Sequence, residues 1–338
     1  MSSTDGPMTA QAPGKLVLLG EYAVLDGAPA VVAAVDRQVR ATATVAPAWS
    51  IEAANLDVAP RAWPSAGDRP ENDPLALPAA LLDALSSRDL LRNIPPQRVS
   101  LDSAALFVDG AKLGVGSSAA VLVALYRLVA REDIAWKTAF ALIDAAHRAC
   151  QKGLGSGVDI AAALHGGVIV FERDPRFALA NCTPICVPKD LHMTSVFTGA
   201  ATSTATFLEK IIVWRQRAGW EYTAHRDALA GLASAGVGAL NNADAAEFCR
   251  IADRYCDVLE AFGVAAGVEI VSPIHRQLRD LARDCGVAYK TSGAGGRDLG
   301  VAFATDAAAL VRFGQLADQL EHCQTLTLGV APPTPLSA

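Results

Sequence analysis

The chain has 338 residues, 51% hydrophobic and 19% charged, with a net charge of −6 at pH 7. That length supports a large core and predicts two lobes. The acidic balance argues against a general nucleic-acid surface but leaves room for a local cationic pocket, and no apolar run has the length of a membrane span. The polar stretch Met1 to Pro7 reads as a disordered leader and not as a signal peptide. The cysteines number seven and are scattered. Cys182 and Cys186 are close, but no second pair or nearby histidine completes a zinc site. Reduced thiols of a cytosolic protein are the expectation.

Taken in order, Met8 to Ala12 predicts an entering strand. Pro13-Gly14 is a turn signal, Leu16 to Leu19 a buried strand, and Leu25-Asp26-Gly27 a second turn. Lys15 lies at the edge of an apolar strand, where a lysine must reach water or find an anion. Glu21 follows a glycine and precedes an apolar run, which suits a polar group held near a site. Residues 29–45 alternate, with Val31, Ala33, Val35, Arg37 and Val39 on one parity and Val32, Ala34, Asp36, Gln38 and Arg40 on the other. This predicts a long, half-exposed strand, broken near Asp36. Ser50 to Ala54 is expected to pair with it. Pro60 to Pro74 reads as a surface loop and Leu75 to Leu85 as a helix. Val99 to Ser103 and Ala105 to Val108 read as a hairpin.

Next comes Lys112-Leu113-Gly114-Val115-Gly116-Ser117-Ser118-Ala119-Ala120, ahead of an apolar helical segment ending near Ala130. A glycine- and serine-rich loop opening a helix points backbone N–H groups and the positive helix end at one spot. Gly114 and Gly116 remove side chains that would hold an anion off. Ser117 and Ser118 add hydroxyls, and Lys112 a positive charge. Two readings stand at this point: a triphosphate cradle, or a glycine turn with a serine cap. The Gly-Lys-Ser/Thr of the Walker sequence is absent at the helix start.

Trp136 to Cys150 predicts a second helix, ending at Lys152-Gly153-Leu154-Gly155-Ser156-Gly157. Asp159 follows at the head of a short apolar helix, Ile160 to Leu164. It suits either a helix cap or a polar group facing a ligand, for which the three glycines leave room. Val168 to Phe171 is a strand, and a loop from Asp174 to about Pro188 marks the lobe boundary. The second lobe opens with a strand, Thr194 to Thr198. Residues 199–206 form a hydroxyl-rich loop feeding a helix, Phe207 to Arg217, a second candidate anion site. Further helices are expected over Tyr222 to Ala233, Asp244 to Phe262 and Ile274 to Cys285. Tyr289 to Phe303 reads as strand, glycine turn and strand, with Lys290, Arg297 and Asp298 marking a polar site. Asp306 to His322 is a helix and Thr325 to Val330 a last strand. Strands and helices without regular alternation predict α+β lobes.

Three glycine-rich segments in this order are more specific than any one. Pro13-Gly14-Lys15 through Gly20-Glu21-Tyr22-Ala23-Val24, then Gly114-Val115-Gly116-Ser117-Ser118-Ala119-Ala120, then Lys290-Thr291-Ser292-Gly293-Ala294-Gly295-Gly296, resemble the three signature motifs of the GHMP kinase superfamily. Val115 stands where leucine is usual. Gly155-Ser156-Gly157-Val158-Asp159, Thr198-Gly199 followed by Ser203-Thr204, Lys112 and Asp298 look most like the phosphomevalonate kinases.

The resemblance implies a two-lobed α+β GHMP kinase fold. The first lobe, residues 8–188, would be of the ribosomal protein S5 domain 2-like type and bind ATP. The second, residues 189–334, would be ferredoxin-like. It implies ATP and Mg2+ as cofactors and 5-phosphomevalonate as the small-molecule substrate, with no nucleic-acid or membrane partner. The enzyme would be cytoplasmic, a monomer or homodimer. Gly114, Val115, Gly116, Ser117, Ser118 and Ala119 would hold the ATP phosphates, with Ser118 on the metal. Lys15, Lys112 and Asp159 would be catalytic. Gly20, Glu21, Tyr22, Ser156, Ser203, Thr204, Ser292, Gly293, Ala294, Gly295 and Arg297 would bind the acceptor. Mevalonate kinase, or another small-molecule kinase of this fold, is the alternative. A non-catalytic binding protein fits less well, because the phosphate loop is intact. One departure concerns the helix before Ser156-Gly157-Val158-Asp159. Mevalonate kinases carry a metal-binding glutamate there, whereas this chain reads Ala146-His147-Arg148-Ala149.

Overall fold

The computed structural model describes residues 6–56, 58–64, 73–149, 153, 155–174, 179–199 and 204–334. Residues 1–5 of the expected leader, Lys152 and Ser203 lie outside the described residues. The first sheet is built on β1 (Met8–Leu19) and β2 (Ala30–Val45), paired antiparallel along most of their length. The expected turn at Pro13-Gly14 does not form. The chain runs through it as a bulge, with the register slipping between Pro13 and Lys15. The bulge aims the Lys15 N–H at the Val115 carbonyl, 2.7 Å away. A Cβ on Gly14 would stand 2.8 Å from that same oxygen, so the approach needs glycine. Bulges re-aim side chains in this way beside functional sites.

β2 is not broken at Asp36. Its first residues, Ala30 to Val35, are buried on both faces, and alternation begins only beyond them. β3 (Ser50–Ala53) does not pair with β2 as expected. It lies antiparallel to β4 (Arg61–Ala62) and parallel to β5 (Gln97–Asp102), and β5 is the strand against β2. The expected hairpin after β5 is also absent. The Asp102 carboxylate accepts the Ala104 N–H at 2.9 Å, and the chain turns there. A 3-10 turn over Ala104–Leu106 follows, then a small ribbon of β6 (Phe107–Val108) and β7 (Ala111–Lys112).

Helices α1 (Ala76–Ser86), α2 (Ser117–Val129), α3 (Trp136–Ala149) and α4 (Val158–His165) match their expected positions within a few residues. α2 and α4 pack on β1 and β2, and α1 and α3 pack against those helices. β8 (Val168–Asp174) pairs with β2 and with β9 (Leu179–Pro184), so part of the expected loop after Asp174 is a strand.

The second sheet has the order β11-β12-β10-β13, all antiparallel. Its strands are β10 (His192–Phe197), β11 (Ala288–Thr291), β12 (Leu299–Ala304) and β13 (Gln324–Leu326). Its helices are α5 (Thr204–Arg217), α6 (Gly219–Asn241), α7 (Ala245–Ala266), α8 (Pro273–Asp284) and α9 (Ala307–Ala317). α7 is the best punctuated of these. Asp244 accepts the Glu247 N–H at 2.8 Å and Gly267 closes the other end in the left-handed region.

One apolar core runs from Leu16, Leu19 and Val31 in the first sheet to Phe248 and Phe262 on α7. A smaller core lies between the second sheet, α8 and α9, around Leu278, Tyr289 and Phe313. The chain end returns to β2 of the first sheet. Asp36 donates to the Gly329 carbonyl at 2.8 Å, and Ala331 donates to the Ala34 carbonyl at 2.9 Å. The architecture is α+β, as expected. Among the described residues, no helix is long and apolar enough to cross a membrane.

Candidate active site

The three glycine-rich segments meet in one cleft of about 310 Å³. Its floor is the turn into α2. Gly114 and Gly116 take φ of 73° and 78°, which side chains disfavour. Gly116 caps α2 without a side-chain bond, leaving the first-turn N–H groups of Ser117 and Ser118 for a ligand. Val115 and Ala119 are buried and contribute backbone only.

Lys15, Lys112, Gly114, Gly116, Ser117, Ser118 and Asp159 all line this cleft. The Lys15 ammonium donates to the Gly114 carbonyl at 3.3 Å. A methyl on Gly116 would stand 3.2 Å from Lys15 Cγ and 3.3 Å from Asp159 Cβ, so these three residues meet at one point. Asp159 is in the first turn of α4, where its carboxylate accepts the Ile160 N–H at 3.0 Å. Asp159 is therefore not the helix cap, which is Gly157, but a first-turn residue that lines the cleft.

The first and third segments are tied to each other. Lys290, fully buried on β11, forms an ion pair with Glu21. It also donates to the Thr291 carbonyl at 2.6 Å. Tyr22 has φ 62° and ψ −49°, and the Ala23 N–H reaches the Glu21 carbonyl at 2.7 Å. That is a γ-turn of the rarer, strained kind. Its conformation is held from three sides. The Tyr22 hydroxyl donates to the Ala294 carbonyl at 2.5 Å. The Tyr255 hydroxyl donates to the Glu21 carbonyl at 2.9 Å. The Tyr22 ring packs 5.2 Å from that of Phe262.

Of the residues expected to bind the acceptor, Glu21, Tyr22, Ser156, Thr204, Gly293 and Ala294 line the cleft. Gly20, Ser292, Gly295 and Arg297 do not. Gly20 is pressed against Pro29 and Ala30, and Gly295 against Ile270. Ser292 is a buried staple on β1, accepting the Val17 N–H at 3.0 Å and donating to the Val17 carbonyl at 2.9 Å. Arg297 is exposed, and the residue of that turn which faces the cleft is Asp298.

Asp298 is 6% exposed, and its Oδ1 is buried without a hydrogen-bond partner. It occupies the space a side chain on Gly114 would need, since a Cβ there would lie 1.8 Å from Oδ1. Burial raises its pKa to about 7, against the opposing pull of Lys15. Because the folded-state value lies above the ordinary carboxylate value, the folded state holds this proton more tightly. The stability so gained is full below about pH 4 and is lost as pH rises through 7. Relative to Asp298→Asn, the natural protein is expected to lose about 2–3 kcal/mol between pH 5 and pH 8. Paired urea unfolding curves at the two pH values measure this difference.

Among the charged and titratable residues that line the cleft, Asp144, His147 and Arg148 on α3 were given no role in the expected site, and Asp298 was expected only to mark a polar turn. The Ser118 hydroxyl lies 2.9 Å from His147 Nε2. The segment Ala146 to Ala149 has no acid, but α3 carries one a turn earlier. Asp144 binds Arg148 at 3.2 Å and Arg173 at 2.7 Å. Helical spacing was the available signal, because residues 144, 147 and 148 share one face.

A glycine-rich loop at a helix start thus meets two further glycine segments in one cleft of an α+β fold. The fold is that of the GHMP kinases. Within it, the chain is 28% identical to the phosphomevalonate kinase of Streptomyces sp. (strain CL190), across 98% of this chain and 99% of that protein. A solved Streptococcus pneumoniae phosphomevalonate kinase, in complex with phosphomevalonate and AMPPNP, superposes with a TM-score of 0.75 at 20% identity. The match covers 94% of this chain and 100% of that one. A Lin0012 protein from Listeria innocua superposes with a TM-score of 0.85 at 22% identity, over 97% and 99% of the two chains. No protein-family model matches the chain.

Proposed function

We infer that this chain is a phosphomevalonate kinase. It transfers the terminal phosphoryl group of ATP to 5-phosphomevalonate, giving 5-diphosphomevalonate and ADP in the mevalonate route to isoprenoids. The observation that carries this reading is the end-to-end similarity to a phosphomevalonate kinase. The cleft supports it, because Lys15, Lys112 and Arg148 face one space, as two phosphorylated substrates require.

The loop from Gly114 to Ala119 and the start of α2 bind the ATP phosphates through backbone N–H groups and the helix dipole. Lys15 and Lys112 neutralise charge on the transferring group and on the acceptor. Such catalysis is mainly positioning and electrostatics. The acceptor atom is a phosphate oxygen, with a second pKa near ~6, and is largely ionised at neutral pH. It needs no strong base. Asp159, beside Lys15 and Gly116, orients the lysine.

Magnesium fits as an ion that arrives with the nucleotide. Among the described residues, no group of three or more His, Cys, Asp or Glu could hold a metal. Ser118 and Asp159 supply cleft-facing oxygen donors, and magnesium is commonly held by one or two such groups with substrate phosphates. When bound, it supplies neutralising charge to the phosphates. Residues 8–188 form the ATP-binding lobe and residues 189–334 the second, with the chain end strapped back across the first. The enzyme is cytoplasmic, acts on small molecules, and works as a monomer or homodimer.

A coupled ADP-release assay with ATP and magnesium, run on mevalonate and on 5-phosphomevalonate, tests the reading. Turnover is expected only with the phosphorylated acceptor. Turnover only with mevalonate would reassign the chain to mevalonate kinase and return Asp159 to the role of general base.

A further inference from the structure

The C-terminal turn of α3 carries a fixed cation that neither the phosphate loop nor the catalytic lysines account for. The Arg148 Nε lies 3.3 Å from Asp144 Oδ1, its Nη1 3.1 Å from the Gly153 carbonyl, and its Nη2 2.5 Å from the Gly155 carbonyl. Each guanidinium nitrogen is thereby held, although arginine has five N–H donors. From the other side, the buried Arg173 of β8 donates to Asp144 Oδ2 at 2.7 Å and to the Ser156 carbonyl at 3.1 Å. Its guanidinium lies 5.8 Å from the centre of the Phe140 ring.

Two consequences follow from this arrangement. One carboxylate faces two guanidinium groups, so the cluster keeps an excess positive charge beside the cleft. The two arginines also hold the carbonyls of Gly153, Gly155 and Ser156. Gly157 closes against α3 so tightly that a Cβ there would stand 2.8 Å from Phe140 Cζ and 3.1 Å from Asp144 Oδ1. Ser156 and Asp159 line the same cleft as Arg148.

We propose that Arg148 is the specificity residue for the acceptor, binding the phosphate that 5-phosphomevalonate carries and mevalonate lacks, with Asp144 and Arg173 as the positioning residues behind it. The proposal rests on the acceptor assigned above. A guanidinium fork suits a phosphate monoester better than an ammonium does. Its restraint by Asp144 and two carbonyls lowers the ordering cost of binding. Arg148 shares the cleft with Ser156 and Asp159, and His147, its neighbour on α3, lies 2.9 Å from the Ser118 hydroxyl at the start of α2.

The test is calorimetric binding of 5-phosphomevalonate and of mevalonate to the natural protein, Arg148→Gln and Arg148→Lys, joined to steady-state KM values for both substrates. The natural protein is expected to bind the phosphorylated acceptor more tightly. Arg148→Gln should weaken that binding by about 10- to 100-fold and leave mevalonate binding and the KM for ATP within about twofold. Arg148→Lys, which keeps the charge but not the fork, should fall between. A loop that merely collapsed would weaken both acceptors alike, and that result overturns the proposal. So does a rise in the KM for ATP with acceptor binding unchanged, which would put Arg148 on the nucleotide. If the natural protein itself prefers mevalonate, the acceptor assignment has failed, and this is read from the natural protein alone.

Discussion

Lys290→Met is expected to destabilise the protein by about 3–5 kcal/mol, because it leaves a buried carboxylate without its partner. Lys290 has no exposed surface, and Glu21 is 4% exposed. The second Glu21 oxygen, Oε2, has no hydrogen-bond partner, so the ammonium is its main compensation. The pair joins β11 to the turn after β1, across 269 residues of sequence. The loss is therefore felt at the joint between the first and third segments. Urea unfolding of Lys290→Met measures it. Glu21→Gln combined with Lys290→Met removes both charges and should recover much of the stability, since it is the unpaired charge that costs most. A single-variant loss below about 1 kcal/mol would mean that the pair is not a structural clamp.

Lys15→Met is expected to leave the fold intact and to lower kcat by about 100- to 1,000-fold, the usual effect of removing one preorganised charge-stabilising donor. Lys15 makes one weak bond of its own, 3.3 Å to the Gly114 carbonyl, and its aliphatic stem already lies against Gly116. Methionine preserves that packing. The ammonium is thus held in place at little benefit to stability, as expected of a group kept for a ligand. Thermal melting and steady-state kinetics on the same preparation separate the two effects. Near-normal turnover in a folded Lys15→Met would remove this residue from the mechanism.

The helices were legible because their signals are local. α2 and α4 start at Gly116 and Gly157, α4 ends at Gly166, and apolar periodicity marks the body of α2, α3 and α4. The glycine turn into α2 was legible for the same reason. Strand partners were not. The choice of β5 over β3 as the neighbour of β2 is made by long-range packing, which one strand's alternation does not report. The Pro13-Gly14 turn failed because its bulge exists to meet Val115, a residue about a hundred positions away. At the site, Lys15, Lys112, Ser118 and Asp159 line one cleft, although they lie far apart in sequence. Arg297 and Asp298 are adjacent, and the sequence alone does not say which of them faces inward. The arginine clamp on Asp144 was hidden because Arg173 lies on β8, 29 residues beyond its partner on α3.

Phosphorus NMR of the protein with 5-phosphomevalonate, ATP and magnesium tests the central claim most directly. The account predicts that the single phosphorus resonance of the acceptor gives way to the coupled pair of a diphosphate as ADP accumulates. An unchanged acceptor resonance, with free phosphate growing or with ATP intact, would contradict it.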